Sequence, residues 1–223
     1  MAGRFITFEG GEGSGKSTHT ALIAERLKTL GVDVVLTREP GGSPGAEIIR
    51  HVLLSGAAKP LGAETEAILF AAARDDHIRS TIAPALEQGK WVICDRFMDS
   101  TRVYQGALGH VDPRLIRGLE RVTVGERMPD LTFIMDVPAE VGLARAARRR
   151  GGTQADRFEA EDVAFHETLR GAYAKLAKLE PARCILIDAT KPKPAVFGML
   201  WNAITERFPP LPRPANASEP VAP

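Results

Sequence analysis

The chain is poor in cysteine and aromatic residues, carries little net charge and has no long hydrophobic run. Its two cysteines, Cys94 and Cys184, lie in short apolar segments, which excludes a disulfide framework and a zinc-ligand spacing. The net charge of +1 predicts no broad basic surface and therefore no nucleic-acid partner. No apolar run is long enough to span a bilayer and no signal sequence precedes the first apolar segment, so we expect a cytoplasmic protein without membrane contact.

Two functional signatures are also missing. The five histidines show no metal-ligand spacing, and we interpret them as surface or helix-packing residues. Neither Asn202 nor Asn216 is followed by lysine, so the Asn-Lys-x-Asp stretch of guanine-specific switch proteins is absent. The remaining composition, 44% hydrophobic and 26% charged, is typical of a globular domain with a sizeable core.

The glycine-rich stretch after the first apolar segment is the main functional motif. Residues 10–17 match G-x-x-x-x-G-K-S/T, the phosphate-binding loop. Its four glycines are expected to take positive φ angles, so that backbone N–H groups and the positive end of the next helix face an anion. Lys16 is expected to reach the β- and γ-phosphates, and Ser17 to ligate Mg²⁺. The predicted phosphate site consists of Gly10, Gly11, Glu12, Gly13, Ser14, Gly15, Lys16, Ser17 and Thr18.

Strand-like apolar segments alternate with helical patterns along the chain. The strands are predicted at residues 5–9, 32–37, 91–94, 131–137 and 184–188. This alternation predicts an α/β fold with a five-stranded parallel sheet, right-handed crossovers and helices on both faces. A helical pattern over residues 65–88 contains Pro84, which must kink or split it. Ligands should bind at the carboxyl ends of the strands.

Six further stretches together resemble the thymidylate kinase family: TREPGG at 37–42, FAAAR at 70–74, DRFMDST at 95–101, YQG at 104–106, PDLT at 129–132 and DR at 156–157. The resemblance covers roughly residues 4–207. It implies a P-loop NTPase-type fold and a nucleoside monophosphate kinase domain over residues 1–207, with a lid at about 148–158. Residues 208–223 are rich in proline, which predicts a disordered tail.

The resemblance also implies an activity and its cofactors. The family transfers a phosphoryl group from ATP to dTMP, giving dTDP and ADP for dTTP synthesis and DNA replication. ATP is the donor, Mg²⁺ the metal cofactor and a homodimer the implied assembly. Ser17 and Asp95 are the implied metal residues, with Asp95 acting through water.

Catalysis is implied for Lys16, Glu12, Arg96 and two lid arginines, Arg150 and Arg157. The lid has to supply an arginine because Gly13 stands where one family branch has an arginine in the phosphate loop. Arg149 is the alternative lid arginine, and Arg145 is placed to stack on adenine. Part of this basic run also fits a solvated helix end that is favoured by the helix dipole.

The implied dTMP site consists of Glu12, Arg38, Phe70, Arg74, Arg96, Ser100, Thr101, Tyr104 and Gln105. The arginines at 38 and 96 clamp the phosphate, and the acid at 12 accepts the sugar 3′-OH. The ring at 70 stacks on thymine, the arginine at 74 bonds a thymine carbonyl, and the tyrosine at 104 crowds the 2′ position. Glu39 either orients its neighbour Arg38 or only completes the turn.

Two other functions stay open on sequence alone. One is a P-loop kinase of a different nucleotide or small metabolite, and the other is an ATP-binding module without turnover. Simpler interpretations also exist for single residues, with Phe70 as a plain core residue and Arg38 as a surface ion pair. The complete set of Lys16, Ser17, Asp95, Arg38 and Arg96 argues against the module without turnover.

Overall fold

Five short strands form one parallel sheet in a computed structural model that describes residues 3–151 and 156–209. They are β1 Phe5–Glu9, β2 Val34–Arg38, β3 Trp91–Asp95, β4 Leu131–Asp136 and β5 Cys184–Asp188. The spatial order is β2-β3-β1-β4-β5, and every neighbouring pair runs parallel. The predicted five-stranded parallel sheet is therefore confirmed, and β1, which leads into the phosphate loop, is its central strand.

Helices connect successive strands in the described part of the chain. They are α1 Lys16–Thr29, α2 Pro44–Leu54, α3 Gly62–His77, α4 Ala83–Glu87, α5 Met98–Thr101, α6 Pro113–Thr123, α7 Ala139–Arg150, α8 Val163–Leu179 and α9 Lys193–Arg207. A 3₁₀ turn spans Lys59–Leu61, and π-helical segments span Ile78–Ile82 and Arg102–Leu108. Within the described ranges, no helix combines the length and apolar content that crossing a bilayer requires.

Side chains of β1 alternate between two buried layers, as the two-residue period of a strand requires. Ile6 and Phe8 pack in a core with α1 and α9 residues, whereas Phe5 packs on the opposite face with Ile82. The middle residue, Thr7, is also fully buried and shares a 2.7 Å hydrogen bond between hydroxyls with Thr132 of β4. Helices on both faces of the sheet thus confirm the predicted layering.

One predicted strand boundary needs correction, since the second strand begins at Val34, two residues later than predicted. The predicted interruption of the helical pattern over residues 65–88 is confirmed, because α3, a π-helical segment and α4 share that span. The break precedes Pro84, whose nitrogen has no hydrogen for the usual i→i−4 bond. Helix α8 begins at Val163, because the Asp162 carboxylate accepts the N–H of Phe165 as a cap.

The predicted tail begins one residue too early. Phe208 is buried, and its ring packs edge-on against Trp91 at 5.3 Å between centroids, so the folded domain includes it. Residues 210–223 of the tail and residues 152–155 of the predicted lid lie outside the described residues.

Helix α7 contacts the phosphate loop through two glycines. A Cβ atom at Gly13 would overlap the carbonyl oxygen of Gly142, and one at Gly142 would overlap the carbonyl oxygen of Glu12. Gly142 therefore lets α7 lie directly on the loop, which fixes the loop from behind.

We predict that Gly142→Ala lowers the free energy of unfolding by about 1–3 kcal/mol, because the added methyl group must displace the loop. ADP affinity should fall with it, measured by titration calorimetry alongside denaturant unfolding. Gly171→Ala in α8 is the matched control, since outside its own helix no atom lies within 4 Å of the added carbon. That control should gain up to about 1 kcal/mol from helix propensity. Equal effects of the two substitutions would contradict the packing argument.

Candidate active site

A cavity of about 310 Å³ lies at the carboxyl ends of β1, β2 and β3, where the alternation of strands and helices predicts ligands. Its walls come from the phosphate loop, the turn after β2, helix α3, the segment after β3 and the lid region. Most predicted site residues line it: Glu12, Gly13, Ser14, Gly15, Lys16, Ser17, Arg38, Phe70, Arg74, Asp95, Arg96, Ser100, Thr101, Tyr104 and Gln105. Residues far apart in sequence thus meet in one cavity.

The phosphate loop curls between β1 and α1 as its glycines allow. Gly10, Gly13 and Gly15 have φ angles of 128°, 63° and 93°. The prediction of a positive φ is wrong for Gly11. Lys16 Nζ donates to the carbonyl oxygens of Gly10 at 3.0 Å and Gly11 at 2.8 Å, so the ammonium group lies against the loop itself.

The charge of Lys16 is held in an unfavourable setting. Burial lowers the pKa of Lys16 to about 8, and the nearby Arg96 guanidinium acts in the same direction. Glu12 and Asp95 oppose the shift without cancelling it. An anionic phosphate in the loop would remove this cost, because an opposite charge favours the protonated amine.

Ser17 and Asp95 fit a magnesium site. Ser17 Oγ donates to Asp95 Oδ2 at 2.5 Å, so two oxygen ligands of the type that Mg²⁺ prefers converge beside the phosphate loop. Among the described residues there is no cluster of three or more His, Cys, Asp or Glu side chains that could hold a metal.

Arg96 follows β3 in a conformation that is unusual for a side-chain-bearing residue. Its φ is 69°, in the left-handed region, which costs about 1–2 kcal/mol unless neighbouring contacts offset it. Its guanidinium pairs with the carboxylate of Glu12, donates to Gly10 O at 3.1 Å and lies over the Tyr104 ring at 5.3 Å. One arginine thus touches the phosphate loop and the wall of the cavity.

Glu12 is anionic because of its cationic neighbours. Burial acts to raise its pKa, but Arg96 and Lys16, with smaller contributions from His166 and Arg149, outweigh burial and hold the pKa at about 2. The hydroxyl of Tyr104 also lies 3.5 Å from Glu12 Oε1. An acid that is charged at neutral pH therefore lies on the phosphate loop where the loop meets the second half of the cavity.

The wall formed by α3 is more tightly bonded than the sequence suggests. Arg74 is 3% exposed and donates to Glu39 Oε2 at 2.8 Å, to Phe97 O at 3.1 Å and to Thr101 Oγ1 at 3.1 Å. The predicted thymine contact of Arg74 therefore has to come from a guanidinium that is already fixed.

Gln105 and Phe70 complete this wall. Gln105 Nε2 donates to Glu66 Oε2 at 3.4 Å. Phe70 is only partly buried, and its ring centroid lies 6.0 Å from that of Phe158, which belongs to the lid region. Phe70 therefore lines the cavity and is not a plain core residue.

The turn after β2 separates Arg38 from Glu39 and decides between the two interpretations of Glu39. Arg38 pairs with Glu47 of α2 at 2.9 Å. Glu39 is buried and bonds Arg74 and His77, so the interpretation that it orients Arg38 is wrong. The reason is that β2 ends in a turn that points Glu39 under α3 and leaves Arg38 at the cavity rim.

Each predicted lid arginine has an acidic neighbour. Arg149 and Arg150 donate to Glu159 at 3.3 and 2.8 Å, and Arg157 lies 3.0 Å from the buried Glu66 and 4.4 Å from the Phe158 ring centroid. Arg149 lines the cavity in this arrangement. The catalytic roles of Arg150 and Arg157 stay predictions.

Two remaining predicted nucleotide residues lie near the loop. Thr18 is exposed in the first turn of α1. Arg145 Nη1 donates to Ala189 O at 2.9 Å, which fixes it on the loop after β5. Its proposed stacking on adenine stays a prediction.

The histidines differ in burial and in hydrogen bonding. His51 and His110 are exposed, as interpreted from the sequence, but His77 is fully buried and bonds Thr37 at 2.7 Å and Glu39 at 3.1 Å. His166 is 3% exposed, and among the described residues neither ring nitrogen has a hydrogen-bond partner. It faces a cavity of about 20 Å³ behind the phosphate loop, enough for one water molecule.

Several residues in and behind this site were not predicted from the sequence. Glu9 is a fully buried carboxylate that bonds Ser100 and Tyr173, and burial, with help from Asp99, raises its pKa to about 7. Arg50 lines the cavity and donates to Pro40 O at 2.6 Å. The only available signal for Glu9 was a charged residue at the end of an otherwise apolar strand.

The sheet order, the glycine loop and the second cation-lined region at the same edge define a P-loop NTPase-type fold with two adjacent cationic regions in one cavity.

Comparisons with known proteins narrow this class. The family model described as thymidylate kinase matches residues 8–199. A thymidylate kinase of Bradyrhizobium sp. (strain ORS 278) is 62% identical over 206 residues, which cover 92% of this chain and 91% of the relative. A thymidylate kinase of Nitrobacter winogradskyi is 62% identical over 205 residues, covering 92% and 89%. A crystal structure of thymidylate kinase from Ehrlichia chaffeensis matches with a TM-score of 0.73 and 36% identity, covering 92% of this chain and 99% of that one. The chain belongs to the thymidylate kinase family.

We predict that nucleotide binding takes up protons on the alkaline side of neutrality. Because burial lowers the pKa of Lys16 to about 8, we expect a large share of its amine groups to be neutral at pH 8.5 in the free protein, and a bound phosphate should recharge them. Calorimetry of ADP binding in buffers of different ionisation enthalpy should give an uptake of more than about half a proton at pH 8.5 and little at pH 6.5. Lys16→Arg, which stays charged, should abolish the difference. An uptake that persists in that variant would assign the proton elsewhere.

Proposed function

We propose that this protein transfers the γ-phosphoryl group of ATP to dTMP, forming dTDP and ADP for dTTP synthesis. The observation that carries the proposal is that one cavity holds both the phosphate loop with Lys16 and a second cationic region with Arg96 and Arg38. Glu12 joins the two regions through its ion pair with Arg96. Two phosphorylated substrates bound there would have their phosphates side by side.

The chemistry asks for positioning and positive charge. A phosphate monoester has its second pKa near about 6, so dTMP is mostly dianionic at neutral pH and is itself the nucleophile without a strong base. The main obstacle is repulsion between two anions that must touch. Lys16 on the donor side and Arg96 with Arg38 on the acceptor side offset that repulsion and hold the groups in line.

Ser17 and Asp95 would hold Mg²⁺ beside the donor phosphates. When bound, this ion supplies additional positive charge on the β- and γ-phosphate oxygens. The fit is supported by the 2.5 Å contact between the two side-chain oxygens.

The remaining cavity residues suit a thymine nucleotide. Phe70 offers a ring face for the base, and Arg74, Thr101 and Gln105 offer polar groups at its edge. Arg74 is well placed for this because its other donors are already satisfied by buried acceptors, which reduces the entropy lost on binding.

Two residues that contact each other are proposed to bind the sugar of dTMP. Tyr104 and Glu12 lie within 3.5 Å, next to Arg96 and Ser100. We assign the 3′-OH of dTMP to Glu12 and exclusion of a 2′-OH to the Tyr104 ring. Ser100 then supports the acceptor phosphate through Arg96.

The proposed cellular location and partners follow from the proposed substrates. We place it in the cytoplasm, where ATP and nucleotide pools are found, with dTMP and ATP as its partners. A homodimer is the proposed assembly, supported by exposed apolar side chains on α2, α3 and α6, namely Ile48, Ile68 and Val122. Sedimentation velocity of the purified chain measures this, and a monomer at micromolar concentration would reject it.

We predict that ADP forms from ATP fastest when dTMP is the acceptor nucleotide. A panel of dTMP, dUMP, dCMP, dAMP and dGMP should favour dTMP over dUMP by about 10–200-fold in kcat/KM, the usual value of one methyl group in an apolar pocket. Lys16→Ala, purified in parallel, corrects for contaminating kinases. A preference for another acceptor would replace dTMP, and ATP binding without turnover would support the module without catalysis.

We also predict that one lid arginine acts on the transferred phosphoryl group. Alanine substitution at Arg149, Arg150 and Arg157 should lower kcat by about 10³-fold or more for at least one of them, because an arginine on the transferring group is typically worth that much. Arg148→Ala, an exposed neighbour in the same helix turn, is the matched control and should lose less than about threefold. If all four variants behave alike, the catalytic cation comes from outside the lid.

A further inference from the structure

Glu9 is a buried acid with no part in the chemistry described above. It is the last residue of β1, it is fully buried, and its carboxylate accepts four hydrogen bonds. Oε1 accepts from the backbone N–H groups of Phe97 at 2.8 Å and Ser100 at 3.2 Å. Oε2 accepts from the hydroxyls of Ser100 at 2.7 Å and Tyr173 at 3.0 Å.

Two of the bonds between β1 and this segment hold the backbone on either side of Arg96. Arg96 N donates to Phe8 O at 2.8 Å, and the next N–H in the chain, that of Phe97, donates to Glu9. The peptide groups on both sides of Arg96 are thus tied to consecutive residues of β1. A residue other than glycine keeps a left-handed φ only when its surroundings enforce it, and these two bonds do so.

The same acid also reaches the side chain of Arg96 through hydroxyl groups. Arg96 Nη1 lies 3.3 Å from Ser100 Oγ and 3.5 Å from Tyr173 OH, the two hydroxyls that donate to Glu9. Each hydroxyl can donate to the carboxylate while accepting from the guanidinium. The guanidinium is therefore oriented through the same carboxylate as its backbone.

We propose that Glu9 is a positioning residue that holds Arg96 where the acceptor phosphate of the nucleoside monophosphate binds. This inference rests on the proposed function, because it takes Arg96 as the acceptor clamp. Glu9 touches neither substrate in this account. Its removal should weaken dTMP binding and leave the donor nucleotide on the phosphate loop nearly unaffected.

The test compares dTMP and ADP affinities, measured by calorimetry, in Glu9→Ala, Glu9→Gln and Asp99→Ala. Asp99 is the matched control, since it is a fully buried acid in the same segment that pairs with Arg183 at 2.7 Å. Glu9→Ala should raise the Kd for dTMP about tenfold and change the Kd for ADP less than about twofold. Glu9→Gln keeps one oxygen acceptor for the two backbone N–H groups and should recover most of the dTMP affinity.

A double-mutant cycle shows whether Glu9 acts through Arg96. If it does, Glu9→Ala in an Arg96→Ala background should add less than about twofold to the loss of dTMP affinity. Multiplied losses would overturn the inference, as would an Asp99→Ala variant that loses dTMP affinity equally. Should Glu9→Ala fail to fold, Tyr173→Phe takes its place in the cycle, with an expected dTMP loss of about threefold. A wild-type chain that makes no dTDP overturns the proposed function instead, so the two failures are distinguishable.

Discussion

Two positive groups that repel each other must be held side by side if two phosphates are to meet. Burial lowers the pKa of Lys16, and the charge of Arg96 adds to that shift, so the guanidinium and the ammonium oppose each other. Hydrogen bonds hold both side chains in place, since Lys16 bonds the carbonyl oxygens of the loop and Arg96 bonds Gly10 O. Glu12 offsets part of the repulsion while remaining anionic. Bound anions would therefore reduce the repulsion between the two cations, and both proposed substrates are anions.

The fold meets this requirement through the order of its strands. Placing β1 between β3 and β4 brings the phosphate loop next to the segment that follows β3, and β2 beyond it brings Arg38 to the same edge. Parallel strands need crossover helices, and those helices cover both faces, so the carboxyl edge is the natural opening. Charged groups gather there because, away from that edge, the buried residues of β1 and β4 are apolar except for the Thr7–Thr132 pair.

Local sequence was enough to predict the phosphate loop, the five strands and the polar residues that follow them, because each depends on neighbours a few positions apart. The bonds of Glu39 to Arg74 and of Glu9 to Phe97 could not be predicted, since they join residues 35 and 88 positions apart and depend on strand order. The π-helical segment Arg102–Leu108 was not predicted, because π-helical turns are too rare for a sequence pattern to favour them. Gly11 is the opposite case. The motif predicts a positive φ at this glycine, but the backbone does not adopt one.

Helix α7 connects the loop and the lid arginines mechanically. Its first turns rest on the phosphate loop through Gly142, and Arg145 fixes its middle to Ala189. Arg149 lies seven residues beyond Gly142, about 10 Å along a rigid helix, so its Cα position is set by the loop contact and not by the segment after it. The helix ends at Arg150, and Gly151 follows it with a φ of 63°. An arginine on α7 is therefore held relative to the phosphate loop, whereas Arg157 is held relative to α3 by its ion pair with Glu66. The arginines before and after Gly151 are thus fixed to different walls of the cavity.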